Sequence, residues 1–92
     1  LFIAALGEKA QLKAFELVNQ LHLQGIKAEI DYEGRSLKAQ MRRANKFNSR
    51  YVLIIGEEEL KRGRAIMRDM EEKVQEEIGL NEAIEEIKGR MY

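Results

Sequence analysis

The chain has 92 residues, 45% hydrophobic and 35% charged, with sixteen Lys and Arg balancing sixteen Asp and Glu and no cysteine, proline or tryptophan. That length allows one compact domain with a modest core, and the lack of cysteine excludes a disulfide frame, a thiol nucleophile and a thiolate zinc site. The longest apolar runs, Leu1–Leu6 and Tyr51–Ile55, fall far short of the ~20 residues that span a bilayer. No export signal opens the chain, and its start in mid-pattern on Leu1 reads as a piece of something longer.

Leu1-Phe2-Ile3-Ala4-Ala5-Leu6 is an uninterrupted apolar run closed by Gly7, which predicts a buried strand. From Glu8 to Gln24 the period becomes helical, with Ala14, Val18 and Leu21 forming an inward stripe beside Phe15 and Leu17, and Gly25 supplying a left-handed stop. Ile26, Ala28, Ile30 and Tyr32 then alternate with Lys27, Glu29 and Asp31, as in an edge strand wet on one face. Glu33-Gly34-Arg35 turns the chain, and Ser36 can cap a second helix whose inward stripe is Leu37, Met41, Ala44 and Phe47. Lys38, Arg42, Asn45 and Lys46 point away from that stripe, and Asn48 can end the helix in a left-handed conformation.

Tyr51-Val52-Leu53-Ile54-Ile55 predicts a central strand covered on both faces and ended by Gly56. The link Glu57–Gly63 carries no helical pattern. Arg64–Met70 reads as a fourth strand with Ala65 and Met67 on one side and Ile66 and Arg68 on the other, Lys73–Ile78 as a fifth with weaker patterning. Leu80–Met91 is a last helix with Ala83, Ile84, Ile87 and Met91 inward and Asn81 as its cap. Strands alternating with helices imply right-handed crossovers and a parallel sheet with helices on its faces. With no helical pattern between strands three and four and only a few residues between strands four and five, at least one of these two pairings is antiparallel, so the sheet is mixed.

The zero net charge conceals segregation. Residues 35–68 hold ten bases and three acids, a net of +7, whereas residues 69–92 stand at −5 and residues 1–34 at −2. From Arg35 to Arg50 there are six bases and no acid. A solvated surface usually mixes both signs, and a polyanion responds to the local field.

Catalytic chemistry has little to stand on. His22 lies beside Leu21 and Leu23 with no second ligand at i+3 or i+4 and reads as a helix-surface or packing residue. Gly56, Lys61 and Gly63 do not form a phosphate loop, Ser36 and Ser49 lack a base at motif distance, and Glu57-Glu58-Glu59 reads as a solvated run. Nucleic-acid binding is better served. Lys38, Arg42 and Lys46 recur every four residues on one helix face with Arg35 at its entrance, an array suited to phosphates. Glu59 and Arg68 flank the link between strands three and four, and a hairpin-like path would bring them together to read a base edge. Arg68 reads equally well as a strand residue paired with a neighbouring carboxylate.

Four stretches carry a family likeness: Phe2-Ile3-Ala4-Ala5-Leu6-Gly7, Leu21 to Gly25-Ile26, Asp31-Tyr32-Glu33-Gly34-Arg35-Ser36-Leu37-Lys38-Ala39-Gln40-Met41, and Tyr51 to Leu60 followed by Gly63 and Met67-Arg68-Asp69-Met70. On these, the sequence resembles the C-terminal anticodon-binding domain shared by the class II aminoacyl-tRNA synthetases for histidine, threonine, proline and glycine. The run Gly34-Arg35-Ser36-Leu37-Lys38 with Gln40 points to the histidine branch. The resemblance implies a three-layer α/β/α domain over residues 1–92, with a five-stranded mixed sheet of order 2-1-3-4-5 and an antiparallel fourth strand. It implies a non-catalytic RNA-binding role inside a histidine–tRNA ligase, holding the anticodon arm of a histidine tRNA, with no DNA or membrane partner. ATP and Mg would bind in the catalytic domain of a parent chain that is a cytoplasmic homodimer. Glu59, Arg68 and Arg42 match positions the family uses on RNA, while Arg35, Lys38 and Arg43 are added on electrostatic grounds alone. Two departures stand out: Asn48 where relatives carry glycine, and Glu71-Glu72-Lys73-Val74 in place of a glycine-bearing tight turn. A competing reading is an interaction module in a synthetase-like regulator, with Phe47 or Tyr32 as anchor.

Overall fold

The structure, a computed structural model, describes residues 1–31, 33 and 36–91, the last of these by its backbone alone. The expectations placed on Tyr32, Gly34, Arg35 and the Met91 side chain lie outside the described residues. The elements are β1 (Phe2–Ala5), α1 (Glu8–Leu23), β2 (Glu29–Ile30), α2 (Leu37–Lys46), β3 (Tyr51–Ile55), α3 (Glu57–Lys61), β4 (Arg64–Asp69) and β5 (Val74–Gly79), then a 3-10 turn (Leu80–Glu82) leading into α4 (Ala83–Met91). The five strands form one sheet in the order β2-β1-β3-β4-β5. β1 is parallel to β2 and β3, whereas β4 is antiparallel to both β3 and β5.

Both faces of the central strands are covered, as their unbroken apolar runs require. On one face Ile3, Leu53, Ile55 and Met67 pack with Leu17 and Leu21 of α1 and Ile87 of α4. On the other, Phe2, Ala4, Val52 and Ile54 pack beneath Ala44 of α2. Phe2, Ile3, Leu53 and Ile55 have no exposed surface, and each such side chain contributes about 1.5–3 kcal/mol by leaving water.

Helix ends follow their local chemistry. Ser36 Oγ accepts the Ala39 N–H at 3.3 Å, while Gly25 and Asn48 take the positive φ values of 78° and 55° that end α1 and α2. Where the chain departs from its periodicity, packing supplies the reason. Phe15 is half exposed, because the buried stripe of α1 runs through Ala10, Ala14, Leu17, Val18 and Leu21 and leaves Phe15 at its margin. In α2 only Gln40 and Ala44 are fully buried, with Leu37 and Phe47 exposed. This helix rests on β1 and β3 through its middle turn, and its two ends overhang the sheet. Phe47 nevertheless stacks on Phe2 with ring centroids 6.3 Å apart.

The second strand is shorter than its alternation suggests. Only Glu29 and Ile30 pair with β1, and Asp31, expected on the wet face, is buried and accepts the Glu33 N–H at 2.9 Å. That side-chain turn bends the chain away and ends the ladder. The link after β3 is a helix, not an irregular loop. Glu57, Glu58 and Glu59 sit in the first turn of α3, where the helix dipole favours negative charge, and Leu60 alone packs on the core. Asn81 lies inside the 3-10 turn, whose N-cap position is held by Gly79.

The β4–β5 turn forms without glycine. Lys73 adopts φ 59°, Asp69 Oδ1 accepts the Glu71 and Glu72 N–H groups at 3.0 and 3.1 Å, and the Lys73 N–H returns to the Asp69 carbonyl at 2.8 Å. None of the described helices is long and apolar enough to cross a membrane.

Candidate nucleic-acid interface

α2 covers the β1–β3 part of its face and leaves β4 and β5 open. Period-2 alternation puts Arg64, Ile66 and Arg68 of β4 on that open face, and the register places Glu77 opposite Ile66 and Gln75 opposite Arg68. Between α2 and this face runs a groove of about 590 Å³, lined by Leu37, Lys38, Met41, Arg42, Asn45, Ile54, Arg68, Met70 and Gln75. Its floor is apolar and its rim carries three cations from two distant segments. Flat, unstacked bases favour such a floor, while phosphates and base edges favour such a rim.

Lys38, Arg42 and Asn45 are exposed on α2. Their spacing of four and three residues puts them on one helix face, and the groove shows that this face looks toward Arg68. Arg68 is half-buried; its Nη1 donates to Gln75 Oε1 at 3.0 Å. Lys46 continues the exposed face beyond the groove. Arg43 belongs to the other flank of the helix, where its guanidinium lies 5.5 Å from the Phe47 ring centroid. Arg35 lies outside the described residues.

Glu59 and Arg68 do not meet as a hairpin-like path would have them do. Arg68 stands opposite Val52 near the start of β3, whereas Glu59 follows the far end of that strand. Three strand residues separate those ends, roughly 10 Å. α3 gives Glu59 a closer partner instead, Arg62 Nη2 at 3.7 Å. Arg62 in turn reaches Glu77 Oε1 at 2.8 Å, and Arg64 Nε reaches the same oxygen at 3.3 Å. Glu59 and Arg68 are therefore tied to β5 residues two apart on one face, Glu77 and Gln75, rather than to each other.

Sequence reasoning missed the apolar wall of Met41, Ile54 and Met70 and the amides of Asn45 and Gln75. The alternation of β4 signals that Ile66 and Arg68 share a face; nothing local signals that α2 stops short of it. His22 behaves as an ordinary surface histidine, with Nε2 3.3 Å from the Ala28 carbonyl. Among the described residues no group of three His, Asp or Glu side chains is placed to hold a metal ion.

With sheet order, register and groove in place, the class of protein is defined: the chain belongs to the anticodon binding domain family, which matches residues 1–90. Among its relatives are the histidine–tRNA ligases of Geobacter sulfurreducens, 55% identical over 80 residues, and of Desulfatibacillum aliphaticivorans, 52% identical over 81 residues. These alignments take in 87% and 88% of this chain but 19% of each relative. The chain thus spans about a fifth of the length of the curated relatives it matches. The crystal structure of apo S. aureus histidyl-tRNA synthetase superposes with a TM-score of 0.86 at 33% identity, over 91% of this chain and 25% of that one. The RNA binding domain of Cryptosporidium parvum threonyl-tRNA synthetase, 21% identical with a TM-score of 0.81 over 96% of this chain and 22% of that one, shares the fold.

Proposed function

We propose that this domain, the C-terminal part of a histidine–tRNA ligase, holds the anticodon arm of a histidine tRNA and helps its parent enzyme select that tRNA. The observation that carries this reading is the convergence of Lys38, Arg42 and Arg68 on one apolar-floored groove. Lys38 and Arg42 meet the phosphates, Arg68 with Gln75 meets a base edge, and Met41, Ile54 and Met70 take the face of a splayed base. Glu59 acts from the next position along the same sheet face, through Arg62 and Glu77. The domain itself performs no chemistry. In the parent enzyme, which we read as a cytoplasmic homodimer, ATP, Mg and histidine bind in the catalytic domain.

Titration of a labelled histidine anticodon stem-loop tests this, with stem-loops of unrelated anticodon as competitors. Saturable binding that the cognate loop competes best supports the reading. Equal competition by every loop, or capture of a protein partner that survives nuclease treatment with no RNA binding, would overturn it in favour of an interaction module.

A further inference from the structure

We infer that Gln40 is the positioning residue of this interface: its buried amide takes the place of a missing strand rung and so sets where α2 presents Lys38 and Arg42. The inference rests on the reading of the groove as an RNA site.

The backbone of β1 defines the missing rung. Leu6 N–H donates to the Ile55 carbonyl and Glu29 N–H donates to the Leu1 carbonyl, both at 3.0 Å. Even-numbered residues of β1 therefore turn their backbone groups toward β3 and odd-numbered ones toward β2. β2 ends at Ile30, opposite Ile3. Ala5, the next odd residue, lies beside Ile55 of β3 but consequently has no strand partner on its β2 side among the described residues, although its backbone is buried and both its groups need partners. Gln40 supplies them. Its Nε2 donates to the Ala5 carbonyl at 2.9 Å and its Oε1 accepts the Ala5 N–H at 3.0 Å, with the side chain wholly buried. A primary amide carries a donor and an acceptor side by side, as a peptide group does, so one side chain completes both halves of the rung.

This matters for the interface because α2 is otherwise loosely keyed. Its only fully buried apolar residue is Ala44, Met41 is half-buried, and Leu37 and Phe47 at its ends are exposed. Apolar contact of that kind is non-directional and tolerates sliding. The two hydrogen bonds to Ala5 are directional. Lys38 and Arg42 lie two residues to either side of Gln40, so any shift or rotation of the helix at this point is carried straight to the groove.

The test uses the 92-residue chain with Gln40→Met, which keeps the length and removes both polar groups, and Gln40→Glu, which removes the donor while ionised. The readouts are amide exchange at Ala5, affinity for the histidine anticodon stem-loop, and the salt dependence of that affinity. In folded Gln40→Met, Ala5 exchange should rise at least tenfold beyond the change at Leu53. Affinity should fall about tenfold, and the log–log salt slope should flatten by about 0.7 for each phosphate that no longer meets a cation. A residue that merely supports stability would leave the slope of the folded protein unchanged. Burial raises the pKa of a carboxyl, so Gln40→Glu should bind like the methionine variant at pH 7 and recover toward wild type at pH 5, where the neutral acid again offers donor and acceptor.

Should Gln40→Met fail to fold, the ratio of Gln40→Glu to wild-type affinity between pH 5 and 7 decides alone: a fall with rising pH supports the role and a flat ratio overturns it. Wild-type affinity and slope in both folded variants would also overturn it while the RNA reading stands. If the wild-type chain binds no stem-loop, the RNA reading falls and takes this role with it.

Discussion

Arg68 donates to Gln75 Oε1 at 3.0 Å across a rung that β4 and β5 share, so the guanidinium is held at the wall of the groove and does not sweep through solvent. A cation placed in this way suits the edge of a base better than a diffuse phosphate field. Arg68→Ala should therefore reduce affinity for the cognate anticodon stem-loop about tenfold, equivalent to about 1.4 kcal/mol within the 1–3 kcal/mol range of a good base contact. It should also narrow the gap between cognate and non-cognate loops. Competition titrations with loops altered one base at a time measure both effects. Weaker binding at an unchanged cognate preference would count against base reading by Arg68.

Lys38 should behave differently. It is exposed on α2 at the groove rim, where it neutralises phosphate without reading sequence. Lys38→Ala should weaken cognate and non-cognate loops by a similar factor and lower the magnitude of the log–log salt slope by about 0.7, the value for one single-strand phosphate contact. Affinities between 50 and 300 mM salt provide the slope.

The β4–β5 turn makes stability depend on acid. The Glu72 N–H bond, with the Arg50 guanidinium at 3.4 Å and the Glu71 N–H behind it, outweighs burial and holds the Asp69 carboxyl below its usual range. A carboxyl with a lowered folded-state pKa contributes stability that is present above its unfolded value, about 3.9, and is lost as pH falls through the folded value. Urea melts of wild type should therefore weaken below about pH 4. Asp69→Asn keeps an oxygen for the turn but does not titrate, so it should be less stable than wild type at neutral pH and lose less on acidification. A parallel loss in both proteins would remove Asp69 from the explanation.

The same turn contains its own strained position. Lys73 holds φ 59°, a left-handed conformation that disfavours a Cβ and that glycine adopts freely. Lys73→Gly should raise stability by about 0.5–1 kcal/mol after allowing for the greater freedom of glycine in the unfolded chain. The melting temperature should rise by several degrees. Lys73→Val should lower it, because β-branching makes that conformation worse. Thermal melts of the three proteins rank them directly.

Much of the scaffold is legible locally. The run Phe2–Ala5, the unbroken Tyr51–Ile55, the Ala14-Val18-Leu21 stripe and the stops at Gly25 and Asn48 each express a backbone period or a φ preference within a few residues. α3 escapes such reading because one apolar residue, Leu60, cannot display a period. Gln40 escapes because a polar residue in a helix is read as solvated until the backbone it completes is known, and that backbone lies 35 residues away. The four-residue spacing of Lys38 and Arg42 determines that they share a face. What that face meets was decided only when β4 paired antiparallel with β3 and brought Arg68 across from Val52, beyond the reach of α2. Side-chain periodicity is a property of neighbouring residues, whereas a groove is a property of surfaces that only strand pairing brings side by side.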